Sequence, residues 1–153
     1  MTDTVISRAG PADLDALALL FDAYRQFYGQ ASDVPRARDW LRSRLRVGES
    51  VALLAKRDRA IIGFVQLYPM FSSVRTARTW VLNDLYVDAG ARRGGVARSL
   101  LEAAAKFARD DGAAGISLET TQDNAAARAL YRAAGWNEDQ TQWYSLSFSK
   151  QHH

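Results

Sequence analysis

The sequence predicts a mixed α/β fold, one central sheet with helices packed on both faces. Three observations lead there. Short apolar or β-branched runs alternate with segments whose apolar residues recur at helical spacing. The best-defined unit, Trp80 to Ala105, reads strand, glycine loop and helix in direct succession. A chain of 153 residues, 48% hydrophobic and 24% charged, is one domain's worth of ordinary globular sequence, with a core that needs no staples.

Val5 to Ala9 alternates and gives a short first strand. Gly10-Pro11-Ala12-Asp13 opens a helix, with proline near the first helical position and an acid in the first turn. Leu14, Leu17, Ala18 and Phe21 form its buried stripe. Ser32-Asp33, or Asp33 itself, caps a second helix bearing Trp40, Leu41 and Leu45, and Gly48 ends it. Val51 to Lys56 and Ile61 to Leu67 are a hairpin around Arg57-Asp58-Arg59, and Pro69 to Arg78 reads as a connection. Trp80 to Val87 is the organising strand. Alternation puts Asp84 and Tyr86 on one face of it and Asn83 and Leu85 on the other.

Asp88-Ala89-Gly90 breaks that strand. Val96, Leu100, Leu101, Ala104, Phe107 and Ala108 then make one helical stripe, stopped at Asp111-Gly112. Ile116 to Thr120 is the next strand, and Asn124 to Ala134 a helix closed by Gly135. Trp136 and Trp143 to Phe148 finish as strands, in an antiparallel hairpin. The order is βααβββαβαββ. Residues 1–149 form this single domain and residues 150–153 a tail, whose His152 and His153 read as a tag remnant.

Composition removes several functions. The net charge is +3, and the arginines are spread along the chain rather than gathered in a stripe, so no nucleic-acid partner is expected. There is no cysteine, which removes disulfides, thiolate chemistry and the common zinc frameworks. With histidine confined to the last two positions, neither a Ser-His-Asp arrangement nor a His-ligated metal is available. The first residues lack a signal-peptide layout, and no apolar run approaches the roughly 18 residues of a membrane span. A cytoplasmic, metal-free protein without a membrane partner is expected.

The stretch richest in chemistry is Arg92-Arg93-Gly94-Gly95. A helix beginning at these glycines leaves its first N–H groups unpaired and points its positive dipole end out of the loop. Glycine lets backbone come close to a ligand, and the arginines add full charge, which together suit phosphate or pyrophosphate. A βα turn with solvated arginines is the plainer alternative. Neither GxGxxG nor a Gly-Lys-Ser/Thr P-loop is present.

Arg92-x-x-Gly95-x-Ala97 follows a strand and opens a helix. Downstream comes Asn124-Ala-Ala-Ala127-Arg-Ala-Leu130-Tyr131-Arg-Ala-Ala-Gly135-Trp136. The pair resembles the two linked motifs of the GNAT (Gcn5-related) N-acetyltransferases, and the likeness covers Val5 to Phe148 in element order. The resemblance implies a GNAT fold whose fourth and fifth strands splay to admit the pantetheine arm of acetyl-CoA, used as cosubstrate without metal. It implies transfer of the acetyl group to a primary amine, by direct attack in a ternary complex. A small cationic metabolite of polyamine or amino-acid type is the expected acceptor. A protein lysine or N-terminus, or a non-catalytic CoA-binding module, are the alternatives, and assembly as a homodimer is left open.

By the same resemblance, the cofactor meets backbone of Leu85, Tyr86 and Val87, the loop and helix start Arg92, Arg93, Gly94, Gly95, Val96, Ala97, Arg98 and Ser99, and Asn124 and Ala127. Asn124 is equally a helix N-cap. Tyr131 is the expected acid for the departing thiolate, against a plain packing role. The general base is open. Asp84 is the only carboxylate on its strand and stands as catalytic and substrate-binding candidate, with a structural hydrogen bond as the other reading. Glu119 ranks below it. Tyr24, Phe27, Tyr28 and Asp33, between the first two helices, are candidate acceptor contacts or simple helix-end packing.

Overall fold

The computed structural model describes residues 3–148, so the expected tail at 150–153 lies outside the described residues. Five strands form one sheet in sequential order: β1 (Val5–Arg8), β2 (Val51–Arg57), β3 (Ala60–Ser72), β4 (Ala77–Val87) and β5 (Gly115–Ser117). The first four are antiparallel, and β5 runs parallel to β4. Helices α1 (Leu14–Phe27) and α2 (Val34–Arg46) cover one face and α3 (Val96–Asp110) the other, while α4 (Ala125–Ala133) follows β5. The mixed α/β fold expected from the sequence is present.

Strand alternation makes two cores. Ala52, Leu54 and Phe64 pack with Leu17, Phe21 and Leu41 of α1 and α2. Leu53, Val65, Leu67, Trp80 and Leu82 pack with Val96, Leu100, Leu101 and Ala104 of α3. On that face a Cβ built on Gly63 would stand 3.1 Å from the Tyr86 carbonyl oxygen and 3.2 and 3.3 Å from Leu100 and Val96. Only glycine lets the first turns of α3 lie this close to the sheet. The start of α3 is positioned by that contact.

Two departures in β4 matter for function. Gln66 pairs with Asp84 but Leu67 pairs with Leu82, so Asn83 has no partner and forms a bulge. Trp80 and Leu82 face α3 before it, and Leu85 and Val87 face α3 after it. Asp84 and Tyr86 are thereby turned toward α1. Unbroken alternation would have put Asp84 beneath α3 beside Leu82. The second departure is the end of the β4–β5 ladder. It runs from Thr79↔Gly115 to Val81↔Ser117 and stops, leaving the β5-facing edge of β4 from Leu82 onward without a strand neighbour among the described residues.

Three expected boundaries move. The segment read as a connection at Pro69–Arg78 is mostly strand, because β3 and β4 stay paired out to Ser72↔Ala77. Pro69 is tolerated because β2 ends at Val51↔Leu67, so β3 there has a neighbour on one side only. β5 is shorter than Ile116–Thr120. The closing hairpin at Trp136 and Trp143–Phe148 is not formed. Residues 137–148 belong to no strand among the described residues, and Trp143, Tyr144, Leu146 and Phe148 are 78–91% exposed.

The link between α1 and α2 hangs on Asp22, which lies on the buried stripe one turn after Ala18 and is 3% exposed. Its carboxylate accepts from Ser32 Oγ at 2.7 Å, the Asp33 backbone N–H at 2.8 Å and Gln26 Nε2 at 3.0 Å. Burial pushes its pKa up, but these donors and the Arg25 guanidinium outweigh it and hold the carboxyl below its ordinary value. A depressed carboxylate stabilises above its unfolded pKa, about 3.9, and that stabilisation fades as pH falls through the lower folded value. Asp22→Ala is therefore expected to cost about 1–3 kcal/mol at pH 7, since it orphans buried donors. In urea titrations the gap to the parent should narrow toward pH 3. A pH-independent gap would contradict this role.

Candidate active site

The bulge at Asn83 aims Asp84 into a cavity of about 920 Å³. Asp84 is 7% exposed and lines the cavity together with Asn83. Its oxygens accept from the Tyr24 hydroxyl at 2.7 Å, Gln66 Nε2 at 3.0 Å and Asn83 Nδ2 at 3.1 Å. The carboxylate is thus fixed from three elements, α1, β3 and β4 itself. Phe21, Tyr24, Trp40 and Tyr68 supply the aromatic walls. Asp33 and Asp39 add acidic groups, and Arg25, Arg36 and Arg44 basic ones. Arg25 is drawn toward Asp22 at 3.5 Å. Arg44 is paired with Glu49 at 2.7 Å and lies 4.3 Å over the Trp40 ring.

Asp33 caps α2 by accepting from the Arg36 N–H at 3.1 Å, so it serves the fold as well as lining the cavity. Burial first, and the neighbouring Asp84 charge second, push the hydroxyls of Tyr24 and Tyr68 above the ordinary tyrosine range. Both therefore remain neutral donors at any working pH. Asn83, expected on the far face, lines the same cavity, because a bulged residue leaves the alternation.

Phe27 and Tyr28 lie outside that lining. They form an aromatic cluster at the end of α1. Tyr28 packs edge-on to Tyr24 with centroids 5.1 Å apart, and Phe27 sits 6.2 Å from Tyr86. Over this cluster lies the Arg92 guanidinium, 5.4 Å from the Tyr86 ring and 5.7 Å from Phe27, with Nε donating to the Val87 carbonyl at 2.9 Å. Arg92 thus fastens the loop to the strand. Arg98 pairs with Glu102 at 3.3 Å. Glu119 lies past the end of β5, exposed and away from the cavity.

The loop between β4 and α3 has the backbone for anion capture. Arg93 and Gly95 both adopt the left-handed conformation, at φ 70° and 78°. An arginine there is strained, which marks a loop held by its surroundings. Gly95 is the N-cap of α3 and has no side chain to offer. Among the described residues, no protein acceptor takes the N–H groups of Gly94, Gly95, Val96, Ala97 or Arg98. A Cβ on Gly95 would meet nothing within 4 Å, so the space before these donors is open. A phosphate-bearing group fits it, and the free edge of β4 at Leu85–Val87 offers backbone to an extended arm.

Across the gap, Asn124 caps α4 by accepting from the Ala127 N–H at 3.2 Å. Tyr131, about two helical turns on, is half-buried against the α3 core, with Trp136 at 6.4 Å. Burial first, and Tyr28 second, push its hydroxyl above the usual value of 10.0. Its hydroxyl has no partner among the described residues. Sequence reasoning missed Trp40, Tyr68 and Gln66 as parts of the site. Only Gln66 carried a signal, as the lone polar residue inside the apolar run of β3. No group of three or more metal-ligating side chains occurs among the described residues.

The family model and the curated relatives agree. Residues 15–136 match the family model described as Acetyltransferase (GNAT) family. The N-acetyltransferase YhfO of Bacillus subtilis, itself uncharacterised, is 46% identical over 88% of this chain and 90% of its own. A protein of Haemophilus influenzae with the name "Probable acetyltransferase" is 36% identical over 62% of this chain and 66% of its own. Among solved structures, one titled "probable acetyltransferase" superposes with a TM-score of 0.91, 43% identity and coverage of 96% of this chain and 99% of that one. The aminoglycoside N-acetyltransferase AAC(6')-Iy in complex with CoA superposes at 0.80 with 17% identity over 96% of each chain, a likeness of fold.

Gly95→Glu tests the loop. It places a charged side chain in front of the free N–H groups, at a left-handed position that costs a side chain about 1–2 kcal/mol. Coenzyme A affinity by calorimetry is expected to fall at least a hundredfold while circular dichroism stays that of the parent. Parental affinity would show the loop to be only a turn.

Proposed function

We propose, for a chain that belongs to the acetyltransferase (GNAT) family and is an acetyl-CoA-dependent N-acetyltransferase, that the acceptor is a small cationic amine bound at Asp84. One observation carries this reading: a buried carboxylate, fixed by three donors, faces an aromatic-walled cavity of metabolite size. Tyrosine and tryptophan faces attract an ammonium ion, and Asp84 supplies the opposite charge. Arg36 at the cavity wall favours, within that class, an amine that also carries an anionic group, such as an amino acid, over a polyamine.

Acetyl-CoA supplies the thioester. The free N–H groups from Gly94 to Arg98, with the dipole of α3 behind them, bind its phosphates. The open edge of β4 at Leu85–Val87 receives the pantetheine arm and offers an N–H to the carbonyl oxygen as negative charge grows on it. AAC(6')-Iy, whose structure holds CoA on the same fold, supports this assignment. Asp84 orients the amine and accepts its proton through water. Tyr131 donates its proton to the departing sulfur. A hydroxyl held above its ordinary value stays protonated through neutral and mildly alkaline pH, as an acid must.

An acceptor panel read by free thiol release tests the assignment. Small amines with a neighbouring carboxylate should turn over fastest, and turnover only with a lysine-bearing protein would overturn it. Asp84→Asn is expected to raise the KM for the amine and lower kcat, with the KM for acetyl-CoA unchanged. Tyr131→Phe should lower kcat by about 10²–10⁴ with acetyl-CoA affinity held. In the parent, no loss of kcat below about pH 10 should trace to this group, because burial moves its titration upward. An effect of Tyr131→Phe smaller than threefold would remove it from the mechanism.

A further inference from the structure

We propose that Arg57, at the end of β2 and outside the glycine loop, is a phosphate-binding residue for the cofactor. The inference rests on the reading of the α3 start as the seat of the coenzyme A phosphates, and adds to it a contact from a different part of the chain.

Arg57 is placed by the hairpin that follows it. It pairs with Ala60 across a two-residue turn, Asp58-Arg59, and both turn residues adopt the left-handed conformation, at φ 53° and 68°. Turns of this kind match the twist of the strands they join, so the hairpin ends in a tight corner. Alternation along β2 decides which way the side chain goes. Leu53 and Ala55 face α3, and Arg57 follows at the same spacing. Lys56, on the other face, is bound to Asp13 at 2.7 Å. Arg57 therefore stands on the side of the sheet where α3 begins. A Cβ built on Gly94 would lie 3.8 Å from Arg57 Nη2, so the guanidinium borders the glycine loop.

The bonding of this guanidinium is unfinished. Arginine carries five N–H donors and a full charge. Nη2 donates to the Thr4 hydroxyl at 2.9 Å. Nε is buried and has no acceptor, and no carboxylate pairs with the side chain, among the described residues. A buried charged donor is costly to leave unmet. The arginines of the loop and of the first turn of α3 are used differently. Arg92 is held by the Val87 carbonyl and two aromatic rings, and Arg98 by Glu102.

Two needs meet at this corner. An anion seated on the N–H groups from Gly94 to Arg98 gives Arg57 a charged acceptor. Arg57 in turn gives the loop a positive charge that no carboxylate has taken, on a group whose planar fork suits phosphate oxygens. Coenzyme A carries phosphate in two places, the diphosphate and the 3′-phosphate. The contact is to one of these, and an analogue without the 3′-phosphate tells them apart.

Calorimetry with coenzyme A tests the assignment. Arg57→Met keeps an unbranched side chain and removes the charge. It should bind coenzyme A about tenfold or more weakly than the parent, with the circular dichroism of the free protein retained. Arg57→Lys should recover part of the loss, and Arg57→Gln carries the same comparison if Arg57→Met folds poorly. The parent's affinity should fall as salt rises, and that of Arg57→Met should fall less steeply, because one charge contact is gone. With 3′-dephospho-coenzyme A, a variant that still loses affinity assigns the contact to the diphosphate, and one that matches the parent assigns it to the 3′-phosphate. Equal affinity of parent and Arg57→Met for coenzyme A would overturn the proposal and leave the loop reading intact. A loss in Arg57→Met that keeps the parent's salt dependence would also overturn it, since it marks a mere prop for the loop. A parent that does not bind coenzyme A would overturn the loop reading and this inference with it.

Discussion

One extra residue in β4 governs the site. Asn83 has no partner on β3, and its insertion reverses the facing of everything after it. Asp84 leaves the hydrophobic face beneath α3 and enters the cavity under α1 and α2. A bulged strand also bends and twists more strongly, and the parallel ladder with β5 ends at Val81, two residues before the bulge. The same local irregularity thus coincides with the opening on one side of β4 and the carboxylate on its other side. A donor lying along the opened edge and an acceptor held by Asp84 would meet across a single strand.

The surrounding helices hold that geometry from both faces. On one face, Gly63 lets α3 settle onto β3, and the loop before α3 is pinned by Arg92 to the Val87 carbonyl and to the rings of Tyr86 and Phe27. On the other, Asp22 ties the end of α1 to the start of α2 through the Asp33 N–H and the Ser32 hydroxyl. Both are polar anchors at helix ends, Asp22 buried and Arg92 at the surface, where orphan backbone groups would otherwise be costly. Much of the charge near the site is spent in this way. Arg92 and Arg98 are engaged by protein groups, so the loop presents chiefly backbone N–H groups to an anion.

What could be read from the sequence follows the range of the interactions concerned. The glycine loop, the cap at Asn124, the cap at Asp33 and the hairpin at Asp58-Arg59 are local, and each appears where residue type and spacing put it. The reach of β3 past Pro69 was not legible, because it depends on whether a neighbouring strand continues there. The bulge was not legible either, since nothing in Leu82-Asn83-Asp84 distinguishes it from regular alternation. Trp40 and Tyr68 escaped notice because only packing of α2 against β3 brings them to one cavity. The final hairpin was expected from apolar alternation at Trp143–Phe148. That alternation specifies a strand but not the edge on which it pairs.

The hydrogen bond between the Tyr24 hydroxyl and Asp84, 2.7 Å long, has a further consequence. Any acceptor that reaches the carboxylate must share or displace a hydroxyl that burial keeps neutral and well able to donate. For an uncharged alcohol or amide this is an exchange of one neutral donor for another, with little gain. An ammonium ion adds a full opposite charge to its hydrogen bond with the carboxylate, an attraction that no neutral donor brings to the exchange. The pocket therefore sorts its visitors by charge before it sorts them by shape.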